Sequence, residues 1–265
     1  MKKKVSIITV NYNNCIGLER TVKSVLEQTY QELEYIVIDG GSTDGSKELI
    51  EEYSSKLEYW VSEPDRGIYH AMNKGIAKAK GEYLLFLNSG DYLCSSHILE
   101  DVFKYKRTAD LLIGRQMFVD APGKVSKSPR LHKDEFNISF FFSSTLPHQS
   151  TFIRKSLMDS IGGYDEQYKV SADWVFWIQS VVLRNCSTEI LPFCISYMEK
   201  GGVSNDMEKC HADMSRYLNV LMQQGRLDWQ TIFDLSLKAR AYEFSNRSSI
   251  LGFLSRSLVW LGKNV

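Results

Sequence analysis

A chain of 265 residues, 43% hydrophobic and 24% charged, reads as one large globular domain or one domain with an elaborated tail. Lysine plus arginine equals aspartate plus glutamate, 32 of each, which excludes the overall basic balance expected of a nucleic-acid binder. No stretch approaches the roughly 20 apolar residues of a membrane span, and the basic start MKKK is followed only by VSIITV, too short for the apolar part of a signal peptide.

A soluble or peripheral protein of the cytoplasm is therefore expected. The five cysteines, Cys15, Cys94, Cys186, Cys194 and Cys210, show no CxxC or other zinc spacing. They read as free thiols in a reducing compartment.

The first half alternates strand and helix signals at short intervals, as in an α/β fold with a mostly parallel sheet. VSIITVNY (5–12) reads as the first strand. Asn13 or Asn14 can cap a helix over 16–29 whose buried face carries Leu18, Val22, Val25 and Leu26. LEYIVID (33–39) is the second strand, GGSTDG a tight turn, and 46–53 a helix. LEYWVSE (57–63) is the third strand, and 67–80 a helix closed by Gly81. YLLFL, from Tyr83, reads as a strand buried on both faces that stops abruptly at Asn88-Ser89-Gly90-Asp91.

Beyond that point the pattern changes. Residues 111–128 look like a hairpin, 148–154 a short strand, 171–184 an aromatic-rich helix and 188–199 an extended segment. From Met207 onward the chain reads as two or three helices. Ligands of open α/β sheets bind beyond the C-terminal ends of the strands. Here those ends carry Thr9 and Asn11, Asp39, Glu63 and Asp65, and Asn88 and Asp91. One polar strand end is ordinarily a helix cap, whereas four on one rim point to a site.

VSIITVNYNN, IDGGSTDGS, SEPDRGIYHAMNKGIAKAKGEYLLFLNSGD, GGYDE and SADWVFW, in that order over about 4–204, resemble the inverting family 2 glycosyltransferases. The likeness is greatest to the bacterial colanic-acid-type, surface-polysaccharide branch. It implies an α/β GT-A fold, with a central mostly parallel sheet flanked by helices and a helical C-terminal extension. The implied division is 1–204 for the catalytic domain (1–110 nucleotide-binding, 111–204 acceptor-side) and 205–265 for the extension. It also implies a nucleotide-diphosphate sugar donor, a glycan or lipid-linked acceptor, a divalent cation (Mn2+ or Mg2+) and inversion at the anomeric carbon.

Residue by residue, Asp39 matches the aspartate that contacts the donor base, a role compatible with pinning its own turn; Thr9 and Asn11 would line the same pocket. Asp65 matches a donor contact near ribose or pyrophosphate, with Asn73 and Lys74 on the following helix as further candidates. His70 stands where relatives carry aspartate. Most GT-A enzymes have Asp-x-Asp, commonly within LDSDD; LNSGD keeps only Asp91 as an evident metal ligand, to be completed by the donor pyrophosphate and water. Asn88 would then bond donor ribose or sugar, and Gly90 would let the backbone approach closely.

Asp173 matches the catalytic base. Trp174 and Trp177 are either core or, for one of them, a sugar platform. His148 and Gln149, in PHQS, resemble an acceptor-side motif, and a late metal ligand at His211 is a further expectation. GGVS (201–204) resembles a closing loop. The tail 249–265 sets apolar residues at helical spacing with basic ones among them, suited to an anionic membrane surface or equally to the protein body or a homodimer.

Three other classes fit less of the chain. A sugar nucleotidyltransferase would need a Gly-rich, Arg-containing loop after the first strand, where NYNNCIGLER stands. A dinucleotide oxidoreductase would need GxGxxG in the same place. A non-catalytic nucleotide-sugar-binding module would account for LNSGD but not for Asp173.

Overall fold

The computed structural model describes residues 4–119, 125–127, 131, 136–199, 207–228 and 231. The GGVS segment and the 249–265 tail lie outside the described residues, as does most of the expected extension.

The parallel half is built from β1 (Val5–Asn11), β2 (Leu33–Asp39), β3 (Tyr59–Ser62) and β4 (Tyr83–Phe86). Helices α1 (Cys15–Leu26), α2 (Ser46–Tyr53) and α3 (Ile68–Lys78) connect them. The second half adds β5 (Tyr92–Leu93), α4 (Ile98–Phe103), β6 (Leu111–Val119), β7 (Val125–Lys127), α5 (Ile138–Ser143), β8 (Thr151–Arg154) and α6 (Lys155–Ile161). It closes with α7 (Ala172–Trp177), β9 (Thr188–Glu199) and α8 (Met207–Gln223).

Among the described residues nine strands form one mixed sheet in the order β3-β2-β1-β4-β8-β6-β9-β5, with β7 against β6. β1, β2, β3 and β4 are mutually parallel, and β8 runs antiparallel to β4 and β6. The strand order reverses about β1, which puts a crevice beyond its C-terminal end.

The strands read as unbroken apolar runs because both sheet faces are covered. Ile8, Val10, Ile36, Ile38, Leu84 and Phe86 point to one core, with α3, α7 and α8. Val5, Ile7, Tyr35, Val37, Leu85 and Leu87 point to the other, against α1, α2 and α4. That alternation is the two-residue period of a pleated strand. Tyr217, Leu218 and Leu221 of α8 share the first core with Trp174 and Trp177, so the described part of the C-terminal segment packs into the same body.

Several local expectations need correction. Gly81 does not close α3: the helix ends at the extended Ala79, and Gly81 is instead where two backbones meet. A Cβ there would lie 2.6 Å from Ser6 N, and the Gly81 N–H donates to Ser6 Oγ at 2.8 Å. The 171–184 helix is α7 followed by a π-helical turn, Ile178–Val182, and the 148–154 strand begins as a 3-10 turn, His148–Ser150. Nor are all five cysteines free. Cys94 and Cys194 pair as a disulfide, Cα atoms 6.3 Å apart, because the antiparallel β5–β9 ladder sets their backbones side by side. Cys15, Cys186 and Cys210 stand outside any disulfide.

Candidate active site

The loops after β1 and β2 hold each other. Asn13 accepts from Thr43 N at 2.9 Å, its own N–H donates to Ser42 Oγ at 2.7 Å, and Asp44 accepts from Cys15 N at 2.8 Å. Asn14 caps α1 by accepting from Gly17 N at 3.1 Å.

At the centre lies Asp39, fully buried. Its Oδ1 accepts from Asn11 Nδ2 at 2.7 Å and Ser42 Oγ at 2.6 Å. Its Oδ2 accepts from Ser62 Oγ at 2.7 Å, Ser42 N at 2.9 Å and Gly41 N at 3.2 Å. Burial works against the charged form, but these donors outweigh it and hold the carboxyl below its ordinary range. A carboxylate offers about four lone pairs, and the fold has taken them all. Asp39 fastens the turn. Thr9 is likewise internal, bonded to the Tyr35 hydroxyl at 3.0 Å inside the sheet rather than on the rim.

Just past the β2 tip, Gly40 is approached closely by two side chains. A Cβ on Gly40 would lie 2.7 Å from Asp65 Oδ2 and 3.2 Å from the Tyr12 ring. Asp65 Oδ1 accepts from Gly67 N at 2.7 Å, and the Tyr12 ring is 67% exposed. A carboxylate oxygen and an exposed aromatic ring thus close in on the same glycine at the strand ends.

LNSGD is pinned from α1. Thr21 Oγ1 donates to the Asp91 carbonyl at 2.7 Å and accepts from Gly90 N at 3.0 Å, and Asn14 Nδ2 donates to Ser89 O at 3.1 Å. Gly90 has φ +103°, a conformation that explains its place there. The Asn88 Oδ1 and Asn11 Oδ1 acceptors are buried and receive no donor. Asp91 is only 5% exposed; burial pushes its carboxyl up to about 8, against hydrogen bonds from Gln149 and from the Asn88 backbone.

A single desolvated carboxylate beside an unfilled amide oxygen is a hard, oxygen-only donor set. It fits Mg2+ or Mn2+ that brings most of its own ligands. Among the described residues no cluster of three metal-ligating side chains exists. His211 is buried on α8, next to Cys210, whose carbonyl accepts from Ser171 Oγ at 3.4 Å.

The other carboxylate of the rim lies on α7. Asp173, in its first turn, is half-buried, and its Oδ1 accepts from the Tyr69 hydroxyl at 2.7 Å. Asp213 of α8 anchors the entry to that helix, accepting from Val170 N at 2.8 Å and Ser171 N at 3.3 Å. Trp174 is core: it is 3% exposed and donates Nε1–H to Phe141 O at 2.7 Å, so it has no ring face for a sugar.

His148 is buried, stacked on Phe86, with Nε2 2.7 Å from the Tyr164 hydroxyl. Burial pulls its imidazole below the usual value and the Asp173 charge opposes that. The adjacent Gln149 bonds Asp91 and also accepts from Gln116 Nε2 at 3.2 Å. Of these two consecutive residues of PHQS, one thus feels the Asp173 charge and the other bonds Asp91.

Asn73 and Lys74 are otherwise engaged. The Asn73 amide pins the GGYDE loop, donating to Tyr164 O at 2.8 Å and accepting from Tyr164 N at 2.9 Å, and Lys74 pairs with Glu63 at 2.7 Å. His70 Nδ1 accepts from Arg66 N at 3.2 Å, an acceptor role that an aspartate would also fill.

Residues 6–162 match the family described as Glycosyl transferase family 2. The chain belongs to that family. An uncharacterized glycosyltransferase of Mycobacterium tuberculosis is 32% identical over 219 residues, covering 77% of this chain and 78% of that one. A PGL/p-HBAD biosynthesis glycosyltransferase of Mycobacterium bovis is 30% identical over 207 residues, covering 76% and 78%.

Among solved structures, S. aureus TarS in complex with UDP-GlcNAc has a TM-score of 0.65 at 20% identity, covering 92% of this chain and 73% of that one. A mannosyltransferase from Pyrobaculum calidifontis in complex with GDP-Man and Mn2+ has 0.65 at 18%, covering 100% and 76%. The glycosyltransferase thus has the GT-A fold, a mixed sheet flanked by helices. Among its described residues no helix is long and apolar enough to cross a membrane.

Sequence reading missed Tyr69, Tyr12, Thr21, Gln116 and Asp213. Only Tyr12 had a local signal, as the residue just past a strand whose tip was already suspect.

Proposed function

We propose that this glycosyltransferase inverts configuration, moving a sugar from a nucleotide-diphosphate donor to a glycan or lipid-linked acceptor in bacterial surface-polysaccharide synthesis. The observation that carries the reading is the His148–Gln149 link, one residue facing the Asp173 charge and the next bonding Asp91. A donor-side and an acceptor-side carboxylate share one rim.

The donor base sits at the strand ends against Asp65 and Tyr12, the two side chains that meet at Gly40. Asp65 Oδ2, not the saturated Asp39, accepts from a base N–H, and Tyr12 supplies the stacking face. Asn11 Oδ1 and Asn88 Oδ1 accept from donor hydroxyls, which would satisfy two buried acceptors that the protein leaves open. Asp91, with Asn88 beside it, would hold Mg2+ or Mn2+. When bound, the cation neutralises charge growing on the leaving diphosphate.

Asp173 takes the proton of the acceptor hydroxyl as that oxygen attacks the anomeric carbon from the face opposite the diphosphate. The cytoplasmic face of a membrane, where lipid-linked acceptors present their sugars, is the place this chemistry suits.

Calorimetric titration of UDP, GDP and dTDP, each with Mn2+ and with a chelator, tests the reading. One nucleotide binding with metal and losing affinity in chelator is the expected outcome. Equal affinity in both would remove metal from Asp91. Absence of binding by all three would make the chain a non-catalytic member of its family.

A further inference from the structure

Tyr69 stands in the first turn of α3, buried beneath the acceptor-side rim. Its hydroxyl lies 2.7 Å from Asp173 Oδ1 and 2.9 Å from the Val170 carbonyl. A phenol has one proton, and an ionised carboxylate and a carbonyl are both acceptors. The charge-assisted bond is the stronger, so the proton goes to Asp173 while the carboxylate is ionised.

We propose that Tyr69 is the positioning residue of the catalytic base: its hydroxyl binds Asp173 Oδ1 and leaves Oδ2 as the oxygen that takes the acceptor's proton. The inference rests on the reading of Asp173 as base. In the transfer step the acceptor oxygen bonds to the anomeric carbon, and the bond from that carbon to the diphosphate oxygen breaks with its electron pair. The acceptor's proton passes to Asp173 Oδ2. Once Asp173 is neutral, its hold on the Tyr69 proton weakens, and the hydroxyl turns to Val170 O. One rotation of a hydroxyl serves both protonation states of the base.

The groups around Asp173 support this division. Tyr164, from the loop after α6, and His148, from the turn before β8, both feel the Asp173 charge. They bond each other at 2.7 Å rather than Asp173. Asp213, from α8, is bound to the backbone of Val170 and Ser171. Burial, with the Asp173 charge second, holds both the Tyr69 and Tyr164 phenols well above their ordinary value, so both stay protonated donors.

The test is carboxyl 13C NMR of the full chain labelled at aspartate, with the Asp173 resonance assigned by its loss in Asp173→Asn. Tyr69→Phe should raise the Asp173 midpoint by about one pH unit. A midpoint that does not move overturns the proposal, since a tyrosine that merely held Val170 O would leave it in place.

Hydrolysis of UDP-GlcNAc and GDP-mannose with Mn2+, water standing in for the acceptor, gives a second readout. Tyr69→Phe should lower kcat about tenfold at unchanged KM and move the acidic limb upward in pH. An equal loss with an unmoved acidic limb would leave Tyr69 a structural residue only. Should Tyr69→Phe not fold, 3-fluorotyrosine at position 69 keeps the ring and makes a stronger donor, and the midpoint should fall. The base itself is separable: wild-type hydrolysis by Asp173→Asn would remove that reading, whatever the resonance does.

Discussion

The two sides of the rim treat their carboxylates in opposite ways. At the tip of β2, Asp39 is surrounded by five protein donors and has nothing left to offer. At α7, Asp173 is half-exposed, and among the described residues its one side-chain bond is to Oδ1. An acidic residue at a strand tip is a fastener when the fold satisfies it and a reagent when the fold leaves a lone pair open. By that measure Asp65, Asp91 and Asp173 are the available carboxylates, and Asp39 is not.

The contrast breaks first at Asp173. Asp173→Asn should lower turnover by about two to four powers of ten while leaving nucleotide affinity unchanged, since a positioned base contributes on that scale. Single-turnover assays alongside calorimetry check both halves of that statement. Asp91→Ala should abolish the metal-dependent part of nucleotide affinity with a smaller loss of stability than a change at Asp39, because burial already disfavours the charged form of Asp91 and few donors depend on it.

Asp39 and Asp65 sharpen the comparison by exchange of roles. Asp39→Asn turns an NH2 toward groups that are themselves donors and should cost roughly 2–4 kcal/mol of stability, read as a fall in Tm. Asp65→Asn should leave Tm nearly unchanged and weaken the preferred nucleotide by about tenfold. Reversed outcomes, with Asp39→Asn stable but unable to bind, would restore the base contact to Asp39.

The same distinction explains what could be read in the sequence. Strands β1, β2 and β4 declare themselves by apolar runs that stop at polar residues, so the rim and its order along the chain were legible. Which rim residue is free was not. Asn73 and Thr9 look like site residues until the Tyr164 backbone and the Tyr35 hydroxyl, their partners, are in view. Trp174 looks like a sugar platform until Phe141 O accepts its N–H. Tyr69 and Asp173 are 104 positions apart, and Cys94 and Cys194 are 100 apart, so no local pattern pairs them. Helical periodicity also does not reveal a π turn: the interval after Trp177 differs from α-helix in its hydrogen bonds, while Ile178 and Val181 remain buried.

The smallest expected effect is a pair of opposing pH slopes in stability, from the two ends of the link between the carboxylates. Burial lowers the His148 imidazole below its ordinary 6.5, with the Asp173 charge opposing. Between the lowered folded value and 6.5 the unfolded chain binds more protons, so His148 contributes stability that is complete above about 6.5 and lost as pH falls. Burial raises Asp91 from 3.8 to about 8, against the Gln149 and Asn88 hydrogen bonds. Between those values the folded chain holds the extra proton, so stability from this group is complete below 3.8 and falls as pH rises toward 8.

Urea unfolding in chelator between pH 5 and 7 should therefore give a shallow net slope, because the two terms oppose each other. Asp91→Asn should leave a slope that rises with pH, and His148→Gln one that falls. Adding Mn2+ to the native protein should flatten the Asp91 contribution, since a bound cation keeps that carboxylate ionised. Slopes of the same sign in both variants would mean that the 148–149 segment does not join two differently charged environments, and the single rim would have to be drawn as two separate sites.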